Sequence, residues 1–214
     1  MKYCILLGVL SATCVFAQPR GSIEPRGYVR GDFGIALTKD ADVSSFPGVG
    51  SARLDLDPGI RFSVGGGATF GDYFALEAET GWIINEIDSI TGFDDVDGWV
   101  SQVPILVNAV FQFKNNTGVT PFIGGGVGGA AVGINLDDAV SSTVRVDGAA
   151  ADFVFAWQGF GGVKYDINEH LSVGVIYKFF WTDDAEWEVE DTARDIRFEG
   201  TRTHSISAVV SYRF

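Results

Sequence analysis

The chain has 214 residues, with 28 Gly and 17 Phe but only 6 Pro and 1 Met, and a formal net charge of -13. That acidity excludes a nucleic-acid partner, whose phosphates would be repelled. The length suits one domain, and beyond the first seventeen residues no stretch approaches the roughly 18 to 20 apolar residues of a spanning helix.

The chain begins like a secretory signal. Lys2 gives a short positive start, Ile5 to Phe16 is mainly apolar, and Val15-Phe16-Ala17 offers a cleavage point before Gln18. Residues 1–17 are therefore expected to be a signal peptide, with 18–214 as the mature domain. Cys14 invites a lipid-anchor reading, but Ser11-Ala12-Thr13 lacks the Leu such a signal wants three places upstream. Cleavage would remove Cys4 and Cys14 and leave no cysteine chemistry. It would also remove Lys2 and take the net charge from -13 to -14.

The mature chain reads as eight strands, at about 27–38, 59–70, 74–85, 100–113, 119–134, 152–165, 171–181 and 201–214. Short turns at 71–72, 114–118 and 166–170 alternate with long loops at about 39–58, 86–99, 135–151 and 182–200. An exported membrane protein without a spanning helix must close its strands into a barrel, because lipid offers no partner to open backbone groups. The sequence thus predicts an all-β, eight-stranded, antiparallel up-and-down transmembrane barrel, with short turns in the periplasm and long loops outside.

Alternation assigns the faces. Leu171, Val173, Val175, Tyr177, Phe179 and Trp181 share one face of the seventh strand, against Ser172, Gly174 and Lys178. The other strands follow, and their polar faces supply Arg30, Asp32, Arg61, Glu77, Glu79, Lys164, Lys178 and Arg213 as an expected lumen charge network. The fifth strand is ambiguous, since its glycines blur the pattern and Phe122 competes with Ile123. Eight strands enclose room for side chains but not for an open aqueous channel, so a plugged polar interior is expected. Trp82, Trp157 and Trp181 lie on the apolar face some 9 to 11 residues from their turns, a height of about 23 to 28 Å. They are read as an outer aromatic girdle, with Tyr165 and Tyr212 in an inner one. The chain closes on Val210, Tyr212 and Phe214, alternating apolar residues that end on an aromatic.

Candidate chemistry is thin. Gly124 to Gly129 fits Gly-x-Gly-x-x-Gly, but Ala130 to Ile134 continues as strand where a phosphate loop needs a helix. Acidic groups, Asp94, Asp95 and Asp97, then Asp183, Asp184, Glu186, Glu188, Glu190 and Asp191, read as solvated loops, without the spacing of a calcium-binding loop. Trp187 among those acids suggests a hairpin rising above the membrane. His204, beside Ser205 and near Ser207, is the one arrangement that raises a hydrolase, and parity turns His204 toward lipid or the rim.

Several segments carry a resemblance: Val103 to Asn108, Val119 to Gly128, Trp157 to Gly174, and His204 to Phe214. On these the chain resembles small outer-membrane barrels related to the transmembrane domain of OmpA and to opacity-type surface proteins. The resemblance implies a bacterial outer-membrane location and a monomer among lipid and lipopolysaccharide. It implies recognition of the terminal strand by the barrel-assembly machinery; the motifs themselves give no cofactor, metal or catalytic residue. The expected role is structural and surface-interacting (adhesion or envelope integrity, with a host or envelope surface ligand) through the acidic loops. A narrow small-solute porin and a lipid A-modifying enzyme are the alternatives.

Overall fold

The computed structural model describes residues 25–39, 41–46, 50–91, 95–140, 145–187 and 196–214. The signal-peptide reading and Asp94, Glu188, Glu190 and Asp191 lie outside the described residues. The strands in chain order are β1 (Arg26–Thr38), β2 (Ala41–Phe46), β3 (Gly50–Leu56), β4 (Gly59–Phe70), β5 (Phe74–Ile90) and β6 (Asp95–Gln112). They continue with β7 (Val119–Val140), β8 (Arg145–Asp166), β9 (Leu171–Thr182), β10 (Ala185–Trp187), β11 (Ile196–Phe198) and β12 (Arg202–Arg213).

Eight of these form a closed antiparallel ring in the order β1-β4-β5-β6-β7-β8-β9-β12. The last strand pairs with the first from Tyr28↔Arg213 to Thr38↔Thr203, so the ring has no edge. The hairpin between β4 and β5 turns at Gly71, whose φ of 66° suits a residue without a Cβ.

Alternation sorts the side chains as lipid demands. On β1, Val29, Phe33, Ile35 and Leu37 are exposed while Arg30 and Asp32 are buried. On β7, Phe122 points inward at 6 % exposure and Ile123 outward at 54 %, which settles the strand that sequence left open. Its inward glycines make room for neighbours: a Cβ on Gly124 would overlap the Phe160 ring, and one on Gly126 the Asn108 side chain.

The long loops are a correction. β5 runs on to Ile90 and β6 starts at Asp95; β7 reaches Val140 and β8 starts at Arg145. The 39–58 segment holds the β2–β3 hairpin, and 182–200 holds β10 and β11. These join the wall through Leu54↔Ile90 and Arg197↔Ser44. Trp187 does stand in a short hairpin, paired with Ile196.

Above the membrane the faces exchange polarity. Leu54, Ile87, Ile90, Val100, Ile134, Ala185 and Phe198 pack inside as one apolar cluster, while Glu86, Asp88, Asp97 and Asp183 are exposed outside. The cause is the solvent: water has replaced lipid, so the apolar side chains bury themselves inward. The interior is therefore layered rather than polar throughout. A second apolar cluster, Tyr28, Ala75, Val110, Phe122, Phe160, Ile176 and Val209, lies nearer the short turns.

This inversion predicts opposite responses to one charge. Val107→Arg, on the lipid face of β6, should lower unfolding stability in bilayers by about 2 to 4 kcal/mol. Asp88→Arg, on the wall above, should change it by no more than about 0.5 kcal/mol. Denaturant titration of the refolded barrel in vesicles measures both.

Candidate functional site

Between the two apolar clusters lies a layer of buried charge. Arg30, Arg61 and Lys178 supply three cations, and Asp32, Glu77 and Glu79 three carboxylates, all nearly inaccessible. Glu79 is the common acceptor. Its Oε1 receives Lys178 Nζ at 2.6 Å and Arg61 Nη2 at 3.2 Å. Its Oε2 receives Arg30 Nη2 at 2.7 Å, Asn108 Nδ2 at 2.8 Å and Gln158 Nε2 at 3.0 Å. Arg30 also donates to Glu77 at 2.8 Å, Lys178 to Asp32 at 2.9 Å, and the Tyr28 hydroxyl to Glu77 at 3.0 Å.

The strands explain why these groups meet. Glu77 and Glu79 are two apart on the inward face of β5, and Asn108 stands opposite Glu77 on β6. Gly126 sits between Asn108 and Gln158 on the flanking strands. Having no side chain, it lets Gln158 Nε2 reach Asn108 Oδ1 at 2.9 Å. Two rings close the layer: Phe160 lies 5.6 Å from the Arg30 guanidinium and Phe180 5.5 Å from that of Arg61. Such cation–π contacts gain strength away from water. Among the described residues Arg61 Nη1 and Asp32 Oδ1 have no protein partner, a demand that ordered water meets in protein interiors.

Six of the eight lumen charges named from sequence thus converge. The other two do not. Lys164 donates to Gln112 at 2.6 Å and Arg213 to Asp166 at 2.8 Å, both at the short-turn mouth. Alternation puts Ser63, Asn108 and Gln158 on the inward polar faces without joining them to the charges, and it passes over Tyr28, Phe160 and Phe180. What sequence does not show is that Gly126 leaves the space in which Asn108 and Gln158 meet.

Trp82 and Trp157 are exposed on the outer face and Trp181 half-exposed, with Trp157 and Trp181 paired across β8 and β9, ring centroids 6.5 Å apart. Tyr165, Val210, Tyr212 and Phe214 are exposed on the outside toward the short turns. His204 also faces outward, its Nδ1 2.6 Å from the Tyr177 hydroxyl. Ser205 and Ser207 point into the lumen and are buried, so His204 meets neither serine. Among the described residues no group of three His, Cys, Asp or Glu side chains could hold a metal ion.

The sequence pattern described as "Outer membrane protein beta-barrel domain" matches residues 4–214. The chain belongs to this family. Its place is the bacterial outer membrane. A search of curated protein sequences finds no match. Among solved structures, the chain is similar to Neisserial surface protein A at 15 % identity and a TM-score of 0.55, covering 88 % of this chain and 97 % of that one. It is also similar to the outer membrane protease OmpT of Escherichia coli at 8 % identity and a TM-score of 0.53, covering 90 % and 98 %. At these identities the likenesses speak for the fold alone.

Removing the common acceptor should be severe. Glu79→Ala leaves three buried cations facing two carboxylates and should destabilise the barrel by about 3 to 5 kcal/mol. Gly126→Ala pushes Asn108 away from Gln158 and should cost about 1 to 3 kcal/mol. Urea unfolding of each refolded variant measures the difference from the parent.

Proposed function

We propose that this barrel is a non-conducting, non-catalytic structural and surface-interaction protein. It works through the acidic wall that rises above the membrane. The observation that carries the reading is the filled lumen: a buried, charge-balanced layer lies between two apolar clusters. With the interior committed to packing, the outer wall is the surface left for recognition. Asp42, Glu86, Asp88, Asp97, Asp183 and Glu199 are exposed there; strand pairing holds the first four, and the backbone amides of Asp183 and Glu199 donate to Phe155 and Asp42. A rigid acidic array suits a cationic surface ligand, on a host or on the envelope, and adhesion or envelope integrity is the role in view. The kinship with OmpA-type and opacity-type proteins belongs to the same proposal. So do the cleaved leader at 1–17, recognition of Val210, Tyr212 and Phe214 by the assembly machinery, the two aromatic girdles, and a monomeric state.

A narrow porin is the second reading, favoured by a polar vestibule of about 280 Å³ at the short-turn mouth, lined by Arg26, Gln112, Lys114 and Arg213 among others. Single-channel recording in a planar bilayer separates the two. The plugged barrel should stay silent, and Glu77→Gln with Glu79→Gln should not open it. Reproducible steps that shift with those substitutions would establish the channel instead.

A further inference from the structure

The barrel is acidic overall, yet two cations stand together where its lipid face ends. Lys39 and Arg202 are both exposed. The Lys39 amide donates to the Arg202 carbonyl at 2.9 Å, which sets the two residues side by side across the β1–β12 seam. Both continue the outward series, Lys39 after Ile35 and Leu37, and Arg202 above Ile206 and His204. Among the described residues neither side chain has a carboxylate within ion-pair distance. Arg53, Lys114 and Arg213, by contrast, each pair with an aspartate.

Their height is informative. Lys39 is ten residues beyond Val29 and Arg202 ten from Tyr212, which at the usual rise and tilt is about 25 Å, the thickness of the apolar band. Arg202 is paired with Trp181, which is paired in turn with Trp157. Because the strands are tilted, the rung Trp157, Trp181, Arg202, Lys39 climbs a few ångströms from strand to strand, so Arg202 and Lys39 stand just above the two tryptophans. Below the two cations His204 lies between Phe179 and Leu37. Apolar side chains below and a pair of exposed cations at the rim are what a lipid with a negative headgroup would meet on its way from tail to water.

We propose that Lys39 and Arg202 bind the phosphate of an outer-leaflet lipid. Its acyl chains lie along Leu37, Ile35 and Ile206, and Trp181 packs beside the headgroup. Arg supplies several donors in a plane suited to phosphate oxygens, and Lys a point charge beside it. Without such a pair the acidic wall would repel the phosphates around it. The site is independent of whatever the wall binds, so it stands or falls apart from the proposed surface role.

Native mass spectrometry of the barrel purified from outer membranes, stripped and titrated with lipid A carrying both phosphates, tests this. The Lys39→Gln, Arg202→Gln double variant should bind about tenfold more weakly, and Lys114→Gln, at the opposite mouth, should bind like the parent. Lipid A stripped of its phosphates should bind parent and double variant alike. Equal affinity of the double variant and the parent for phosphorylated lipid A would overturn the site. Full displacement by millimolar inorganic phosphate would overturn the lipid assignment in favour of a free-phosphate site. Both substitutions are at exposed positions outside any ion pair, and compact migration on unheated gels verifies that the barrels are folded.

Discussion

In hydrocarbon no backbone N–H or C=O can be left without a partner, and a sheet meets that demand only by closing on itself. The pairing of β1 with β12 is therefore the contact on which the rest depends. Once the ring is shut, each spanning side chain has two destinations, and successive residues take opposite ones. Lipid accepts Val, Ile, Phe and Trp at little cost and rejects charge. The charged residues of the spanning strands thus go inward, into a space too narrow to hydrate them freely, where they must satisfy one another. The balance of three cations with three carboxylates follows from this confinement. Buried ion pairs are poor evidence of net stability; what the layer adds is register, because a strand shifted by one residue would send Glu79 into lipid.

Solvent, more than sequence distance, then decides where the membrane ends. Along β5 the inward positions pass from Glu77 and Glu79 to Ile83, Asn85 and Ile87, while the outward ones pass from Leu76 and Trp82 to Glu86 and Asp88. The strand does not break at the crossing. It continues with the meaning of its faces reversed, and the part above the membrane behaves as a small water-soluble barrel around Leu54, Ile87, Ile90 and Phe198. The threonine and amide groups between the charged layer and that core mark the transition: Thr38 bonds Asn85 at 2.7 Å, and Thr201 bonds Gln102 at 2.9 Å.

The spanning strands were legible because lipid imposes a strict period of two with apolar residues on a constant face; the starts of β4, β5, β7 and β9 were read to the residue. The extensions were not, because their phase is the reverse. Ile87 and Ile90 sit among Glu86, Asp88 and Ser89, and read with the membrane's sign they look like interruptions in a polar loop. The inward apolar residues were missed for a related reason. Lys178 marked the lumen face of β9 as polar, and Ile176 and Phe180 on the same face were passed over. In β7 the pattern failed outright, since glycine has no polarity to alternate, and only packing in the cluster with Phe160 and Ile176 decides that Phe122 points in.

Those two failures share a cause. Sequence periodicity reports which residues lie on one face, but the chemistry of that face depends on the medium beyond it, and here the medium changes twice along one strand. The charged residues show the change most clearly. Inside the spanning region most of them pair within a buried layer; at the outer rim Lys39 and Arg202 are exposed; on the wall above the membrane the exposed charge is mainly acidic. One sheet thus gives its ions different surroundings by depth, and the outward pair Lys39 and Arg202 stands where hydrocarbon gives way to headgroup. A barrel that only needed to avoid burying charge in lipid could have placed either sign there; an anionic headgroup gives the selection its direction.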